Sequence, residues 1–130
     1  MHIKQFFEWI GLKEKLDGII HQAPHVSEGE VWWASIGENV GAEINGKSQY
    51  FSRPVLIFRK FSHNFYFVIP MTTKKHLGSW YVSFQLQNLE VTACLHQSRS
   101  IDYRRLSKRL GEIDGIDFDR VKSAFKKLYI

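Results

Sequence analysis

Of the 130 residues, one is cysteine and three are proline. The single thiol, Cys94, cannot close a disulfide within the chain, so the fold has to hold by packing alone, and the residue fits a reducing compartment. Placed inside an apolar, strand-like run, Cys94 reads as inert packing. No apolar run approaches the roughly 20 residues that a membrane span needs. The N-terminus does not have the form of a secretory signal, because Phe6-Phe7 is soon followed by Glu8, Lys13, Glu14 and Lys15. The expected location is therefore the cytoplasm. There is no internal repeat and no low-complexity tract. Neither GxxxxGK[ST] nor GxGxxG occurs, so Gly41 does not read as part of a nucleotide cradle. His21 and His25 have metal-like spacing, but Pro24 breaks the helix between them. No metal and no other cofactor is expected.

What is present is enough for one compact domain. Hydrophobic residues make up 44% and aromatics 15% of the chain, which supports a real core and argues against disorder. The formal net charge is +5 and the pI about 9.4, which favours an acidic partner such as nucleic acid or an acidic protein without proving one.

Periodicity divides the chain into a helix, a series of short strands and a second helix. Ile3, Phe6, Phe7, Ile10, Lys13 (by its stem), Leu16 and Ile20 recur at steps of three and four, which predicts a helix over residues 3–21 docked through that face. Gln22–Ser27 reads as a linker and Glu28–Ile36 as the first strand. Gly37–Tyr50 is a polar, glycine-bearing loop of a length that is often functional. Trp80–Gln85 and Leu89–Leu95 each alternate with a period of two across Gln87-Asn88, a hairpin pattern. His96–Asp102 is polar and leads into a basic region, Tyr103–Arg109. Leu110–Ile113 reads as a short last strand, and Phe118–Tyr129 as a helix capped by Asp117, with Phe118, Val121, Phe125 and Leu128 inward. Connectors this short exclude parallel crossovers. The expected fold is mainly β: five or six antiparallel strands in a small, strongly curved sheet or barrel, with an N-terminal helix and a closing C-terminal helix. Residues 1–27 form the helix and linker, and residues 28–130 the barrel domain.

The stretch Phe51–Lys74 carries the chemistry. Val55–Phe58 and Phe65–Ile69 are branched and aromatic, typical of buried strands, and Ser62-His63-Asn64 suits a tight connection. Paired as a hairpin, they put Arg53 and the hydroxyls of Thr72-Thr73 at the same open end. A guanidinium beside hydroxyls on a rigid sheet is suited to hold a phosphate.

Four segments together resemble the PemK/MazF-type toxins of bacterial type II toxin–antitoxin systems. Glu28-Gly29-Glu30-Val31-Trp32-Trp33 resembles their opening strand, and Arg53-Pro54-Val55-Leu56-Ile57 their second. Ile69-Pro70-Met71-Thr72-Thr73-Lys74 is similar to their "PLTS" strand end, and Gln97–Asp102, with Arg105-Leu106 and Leu110-Gly111, to their "QxRxID…RL…G" segment. The resemblance spans about residues 28–129. It implies an SH3-like barrel of the CcdB/PemK/MazF kind, a homodimer, and a metal-independent endoribonuclease that cuts single-stranded RNA such as mRNA. It also implies a cognate antitoxin that covers the RNA groove.

Metal-free RNA cleavage uses the RNA's own 2′-hydroxyl as nucleophile, so the protein has to move two protons and stabilise a phosphorane. The resemblance assigns Arg53 to the phosphorane and Thr72 to the same phosphate, with Thr73 assisting. Some members carry an acid where this chain has His96, and an imidazole is suited to proton transfer, so His96 is the proposed proton carrier. Where some members carry His, this chain has Ala42, which leaves Glu43 and Glu30 as other acids, Glu30 more in keeping with a structural role. Gln97 and Arg99 either orient the RNA or brace the barrel. Trp32, Trp33, Tyr50, Phe51, Trp80 and Tyr81 are candidate stacking surfaces; strand alternation lets only one of Trp32 and Trp33 face outward. The alternatives on the same barrel are a non-catalytic, CcdB-like toxin and an RNA- or protein-binding module.

Overall fold

The structure, a computed structural model, describes residues 5–19, 22–47 and 51–130. Ile3, Ile20, His21 and Tyr50 lie outside the described residues. Helix α1 (Phe6–Asp17) is followed by β1 (Glu30–Ser35), and then come β2 (Ser52–Lys60), β3 (Phe65–Thr72), β4 (Tyr81–Leu86) and β5 (Leu89–Cys94). A single 3₁₀ turn, Leu95–Gln97, joins β5 to β6 (Arg99–Asp102), a second turn follows, and β7 (Leu106–Glu112) leads into α2 (Gly115–Tyr129). Every strand pair is antiparallel. The strand order is β4-β5-β3-β2-β1-β7, with β6 also on β3, and the sheet curls into an SH3-like half-barrel.

Strand β3 is the hub. Along one edge it pairs with β2, Leu56 facing Ile69. Its other edge is divided: Phe65–Val68 pair with β6, and Met71-Thr72 pair with β5. The division forces the sheet to bend. The central strands read as unbroken apolar runs because both their faces are covered. Val55, Leu56 and Ile57 are all fully buried. Leu56, Ile69 and Met71 point into a core closed by Val121 of α2, with Phe58, Phe118 and Phe125 packed against it. Val55, Ile57, Tyr66 and Val68 point into a second core with Val26, Trp32 and Ile101. Alternation along each strand distributes the residues between the two cores. The β4–β5 hairpin turns at Gln87 and Asn88, both with positive φ (49° and 69°), the twist-compatible two-residue turn.

The sheet has seven strands rather than five or six. The segment expected to be merely polar contains β6, of which only Ile101 is buried. The region expected to be merely basic is most of β7, whose register on β1 slips twice. An edge strand in which Ser107, Lys108 and Arg109 are all exposed shows little hydrophobic alternation, and such charge keeps edges from pairing with other chains. Helix α2 begins earlier than expected. Asp114, not Asp117, is the cap, its carboxylate accepting from the Ile116 amide at 3.0 Å, while Asp117 pairs with Arg120 at 2.8 Å. Trp80, expected within the strand, precedes β4 and is exposed, and Leu89 is exposed too.

Helix α1 is shorter than the periodicity implies and is rotated. Gly18 ends it, donating to the carbonyls of Glu14 and Lys15. Apolar residues surround this helix, so their spacing does not select one face. The side turned to the barrel is Trp9 (6% exposed) with Leu12 and Leu16 half-buried, while Phe6, Phe7 and Ile10 face solvent.

The β1–β7 pairing is fastened by Glu30. Its carboxylate accepts from the Ser27 amide (2.9 Å), Trp32 Nε1 (3.1 Å) and Arg109 Nε (2.9 Å). Burial pushes this carboxyl's pKa up, but those donors outweigh it and the net shift is downward. Because the folded pKa lies below the unfolded one, the stabilisation is full above the ordinary glutamate value and is lost as pH falls through the lowered value. Glu30→Gln is therefore expected to cost about 1–3 kcal/mol at pH 7 in urea titrations. The difference from the parent chain should shrink progressively at pH 4 and below.

Candidate active site

At the open end of the β2–β3 hairpin, Val55 faces Pro70, and extending that register sets Arg53 across from Thr72. Arg53 Nε donates to the Asn45 carbonyl at 2.8 Å and Nη1 to the Met71 carbonyl at 3.4 Å. Two backbone oxygens thus fix the guanidinium without neutralising it. Burial lowers its pKa, opposed by the neighbouring Cys94, and an arginine remains cationic regardless. Thr72 is buried, and its hydroxyl oxygen accepts from the Lys74 amide at 3.2 Å, an arrangement in which the O–H can still donate.

Arg53 and Thr72 line a groove of about 340 Å³ whose walls also include Lys47, Lys74, His76, Tyr81, Cys94, His96 and Gln97. His96 arrives there because β5, paired to the end of β3, carries the Leu95–Gln97 turn at its own end. The imidazole is enclosed by Trp80 (ring centroids 4.8 Å) and by Tyr81 edge-on (5.2 Å). Its Nδ1 is buried with no hydrogen-bond partner. Burial, and secondarily the nearby His76, push the His96 pKa below the ordinary 6.5, so the ring is neutral near pH 7. His76 in turn stacks on Tyr81 at 4.8 Å. Two larger clefts, about 740 Å³ along α2 and 520 Å³ beneath α1, have no histidine in their walls.

Gln97 braces rather than faces the groove alone: its Oε1 accepts from the Ile44 amide (3.1 Å) and its Nε2 donates to the Ala42 carbonyl (3.0 Å). Arg99 lies at the root of the same loop, with Nη1 3.5 Å from the Ile36 carbonyl, and burial lowers its pKa while Glu43 opposes. Glu43 is exposed and accepts from the Val40 amide at 2.8 Å, which shapes the loop tip. Glu30 is not in the groove; it is committed to Arg109, Trp32 and Ser27. Thr73 lines a second, more apolar depression of about 310 Å³ with Trp33, Pro54, Leu86, Leu89 and Leu110. Lys47, Arg53 and Thr72 line both depressions and form the wall between them. Of the candidate stacking aromatics, Trp32 and Phe51 are core, whereas Trp33, Tyr81 and Trp80 keep accessible surface. Among the described residues, no three His, Cys, Asp or Glu side chains are grouped to hold a metal ion, and no helix is long and apolar enough to cross a membrane.

Sequence reasoning did not single out Lys47 and His76, which sit in loops whose path no periodicity reveals. Cys94, which reads from the sequence as inert packing, is buried and also lines the groove.

The family model of the PemK-like, MazF-like toxins of type II toxin–antitoxin systems matches residues 27–129. The chain belongs to this family. Comparison with curated proteins finds no match. Among solved structures, MazF from Deinococcus radiodurans superposes with a TM-score of 0.67 at 19% identity, covering 83% of this chain and 97% of the other. An endoribonuclease in complex with its cognate antitoxin, from a mycobacterial species, gives 0.63 at 15% identity over 79% and 93%. The Mycobacterium tuberculosis toxin MazF-mt6 gives 0.60 at 15% over 77% and 95%. At these identities the likeness speaks for the fold. On this PemK/MazF-like barrel, the Gln97 contacts help to tie the β1–β2 loop to the groove. Gln97→Ala should therefore speed limited proteolysis between residues 38 and 45 by about tenfold while the β2–β3 ladder keeps its protection.

Proposed function

We propose that the chain is the toxin of a type II toxin–antitoxin pair and a metal-independent endoribonuclease acting on single-stranded RNA. The observation that carries this reading is the convergence of Arg53, Thr72 and His96 on one cation-rich groove. In the proposed reaction a 2′-oxygen attacks the adjacent phosphorus and the bond to the 5′-oxygen breaks, leaving a 2′,3′-cyclic phosphate and a 5′-hydroxyl. Arg53 and the Thr72 hydroxyl hold the phosphate oxygens and stabilise the added charge of the phosphorane. His96, neutral near pH 7, takes the 2′-hydroxyl proton, and the imidazolium so formed gives a proton, directly or through water, to the departing 5′-oxygen. Lys47 and Lys74 supply further positive charge along the strand's path, and Tyr81, Trp80 and Trp33 supply faces on which unpaired bases stack. Gln97, Arg99 and Glu43 act through the loop rather than on the RNA. In this reading the barrel domain, residues 28–130, carries the activity, residues 1–27 are an addition to it, two copies form a homodimer, and the protein works in the cytoplasm. A cognate antitoxin covers the groove, as supported by complexes of structural relatives with antitoxins, including MazE–MazF from Deinococcus radiodurans.

The test is cleavage of single-stranded RNA in EDTA with analysis of the product ends. Arg53→Ala should lower kcat by about 10²–10³, the cost of losing one donor to developing negative charge. Unchanged cleavage in a folded Arg53→Ala chain would overturn the assignment. The pH dependence is a second test. Activity should fall on the acid side as His96 becomes protonated, with a midpoint below the ordinary histidine value of 6.5. His96→Asn should remove that limb together with most of the rate.

A further inference from the structure

Trp9 is the one fully docked side chain of α1, and what it docks on is the root of the groove's loop. A Cβ at Gly37 would lie 2.2 Å from Trp9 Cε2 and 2.4 Å from Cζ2, and Gly37 has φ +90°, so this position needs glycine for both space and conformation. The indole also meets the Phe51 ring (centroids 5.5 Å) and lies under the Arg105 guanidinium at 5.6 Å. From Gly37 a short chain of bonds reaches the guanidinium of Arg53. The Gly37 carbonyl accepts from the Gly46 amide at 2.8 Å, and the carbonyl of Asn45, the preceding residue, accepts from Arg53 Nε at 2.8 Å. Phe51, on the other side of the indole, holds the Ile36 and Gly37 amides through its carbonyl and leads through Ser52 into Arg53.

We propose that Trp9 is a positioning residue: by wedging α1 against Gly37 and Phe51 it holds the loop carbonyl that aims Arg53. The N-terminal helix is then part of the groove's machinery, although none of its side chains lines the groove. Beyond Trp9, α1 is tied to the barrel through its Asp17 carbonyl, which accepts from Arg104 at 2.9 Å. The contact is thus concentrated in one ring. The catalytic consequence rests on the endoribonuclease reading given above; the mechanical one does not.

The experiment uses the full ¹⁵N-labelled chain and follows two signals by NMR: hydrogen exchange of the Gly46 amide and the Arg53 Nε–H resonance. In Trp9→Ala, Gly46 exchange should accelerate about tenfold or more while β2–β3 ladder amides keep their protection. The Arg53 Nε–H should shift or broaden, and Trp9→Phe should restore both signals in part. Single-turnover RNA cleavage should fall about tenfold or more in rate, with little change in binding of a non-cleavable 2′-O-methyl oligonucleotide, as expected for misplacement of a catalytic group by a fraction of an ångström. Wild-type Gly46 exchange and an unmoved Arg53 signal in folded Trp9→Ala would overturn the proposal. Should that variant not fold, Trp9→Leu, which keeps bulk without a flat ring, is read in the same way. Should the parent chain cleave no RNA, the endoribonuclease reading fails while the exchange data still decide the role of Trp9.

Discussion

The divided edge of β3 is the constraint on which the rest of the structure depends. One strand of eight residues serves β2 on one side, and β6 and then β5 on the other. Backbone N–H and C=O groups in a buried strand have to be paired. Two partners cannot share one straight edge without diverging, so the sheet bends between Val68 and Met71. The two cores lie on opposite faces of this bent sheet. The bend carries the end of β5 back over the end of β3, where Arg53 and Thr72 lie.

Three arginines share one arrangement: Arg53 in the groove, Arg99 at the root of its loop and Arg105 in the cleft beneath α1. Arg53, Arg99 and Arg105 are all partly buried, and none of the three has a carboxylate hydrogen-bonded to it among the described residues. Backbone carbonyls take their place: Asn45 and Met71 for Arg53, Ile36 for Arg99, Ser35 for Arg105. A carbonyl holds a guanidinium in direction but leaves its charge in force, whereas a carboxylate would cancel it. Burial without cancellation keeps the field available to an anionic ligand, and the low local dielectric strengthens it. Contrast Glu30 with Arg109, where charges are matched and the pair fastens the sheet.

The loop between β1 and β2 is the part of the site with least structure of its own. Its ties include Gln97 to Ala42 and Ile44, Asn39 to Ile36 and Ile44, Asn45 to Arg53, and the Gly46–Gly37 bond at its neck. Each tie links residues that are distant along the chain or without regular spacing. None is visible as a pattern, although Gln97 itself stood out in the family motif. Glycines at 37, 41 and 46 marked the loop as one that needs unusual backbone angles, and two of the three have positive φ.

The amino-acid sequence by itself determined the all-antiparallel barrel, because runs such as Val55–Phe58 and Phe65–Ile69 with short turns between them admit few other arrangements. It also determined the apolar side of α2 and the placing of Arg53 and Thr72 at one end of a hairpin. These are local matters, settled by side-chain period and turn chemistry. Tertiary structure alone decided that β6 is a strand and that β7 starts at Leu106 rather than at Leu110, since pairing and not hydrophobicity makes these residues so. It decided which face of α1 docks, since a helix with apolar residues on every side is oriented by the fit of one indole against one glycine. It brought His96 to Arg53, and it sent Glu30 to Arg109 and away from the groove. Distances of that kind depend on how the sheet curls, and curvature is a property of the paired strands together and not of any one segment.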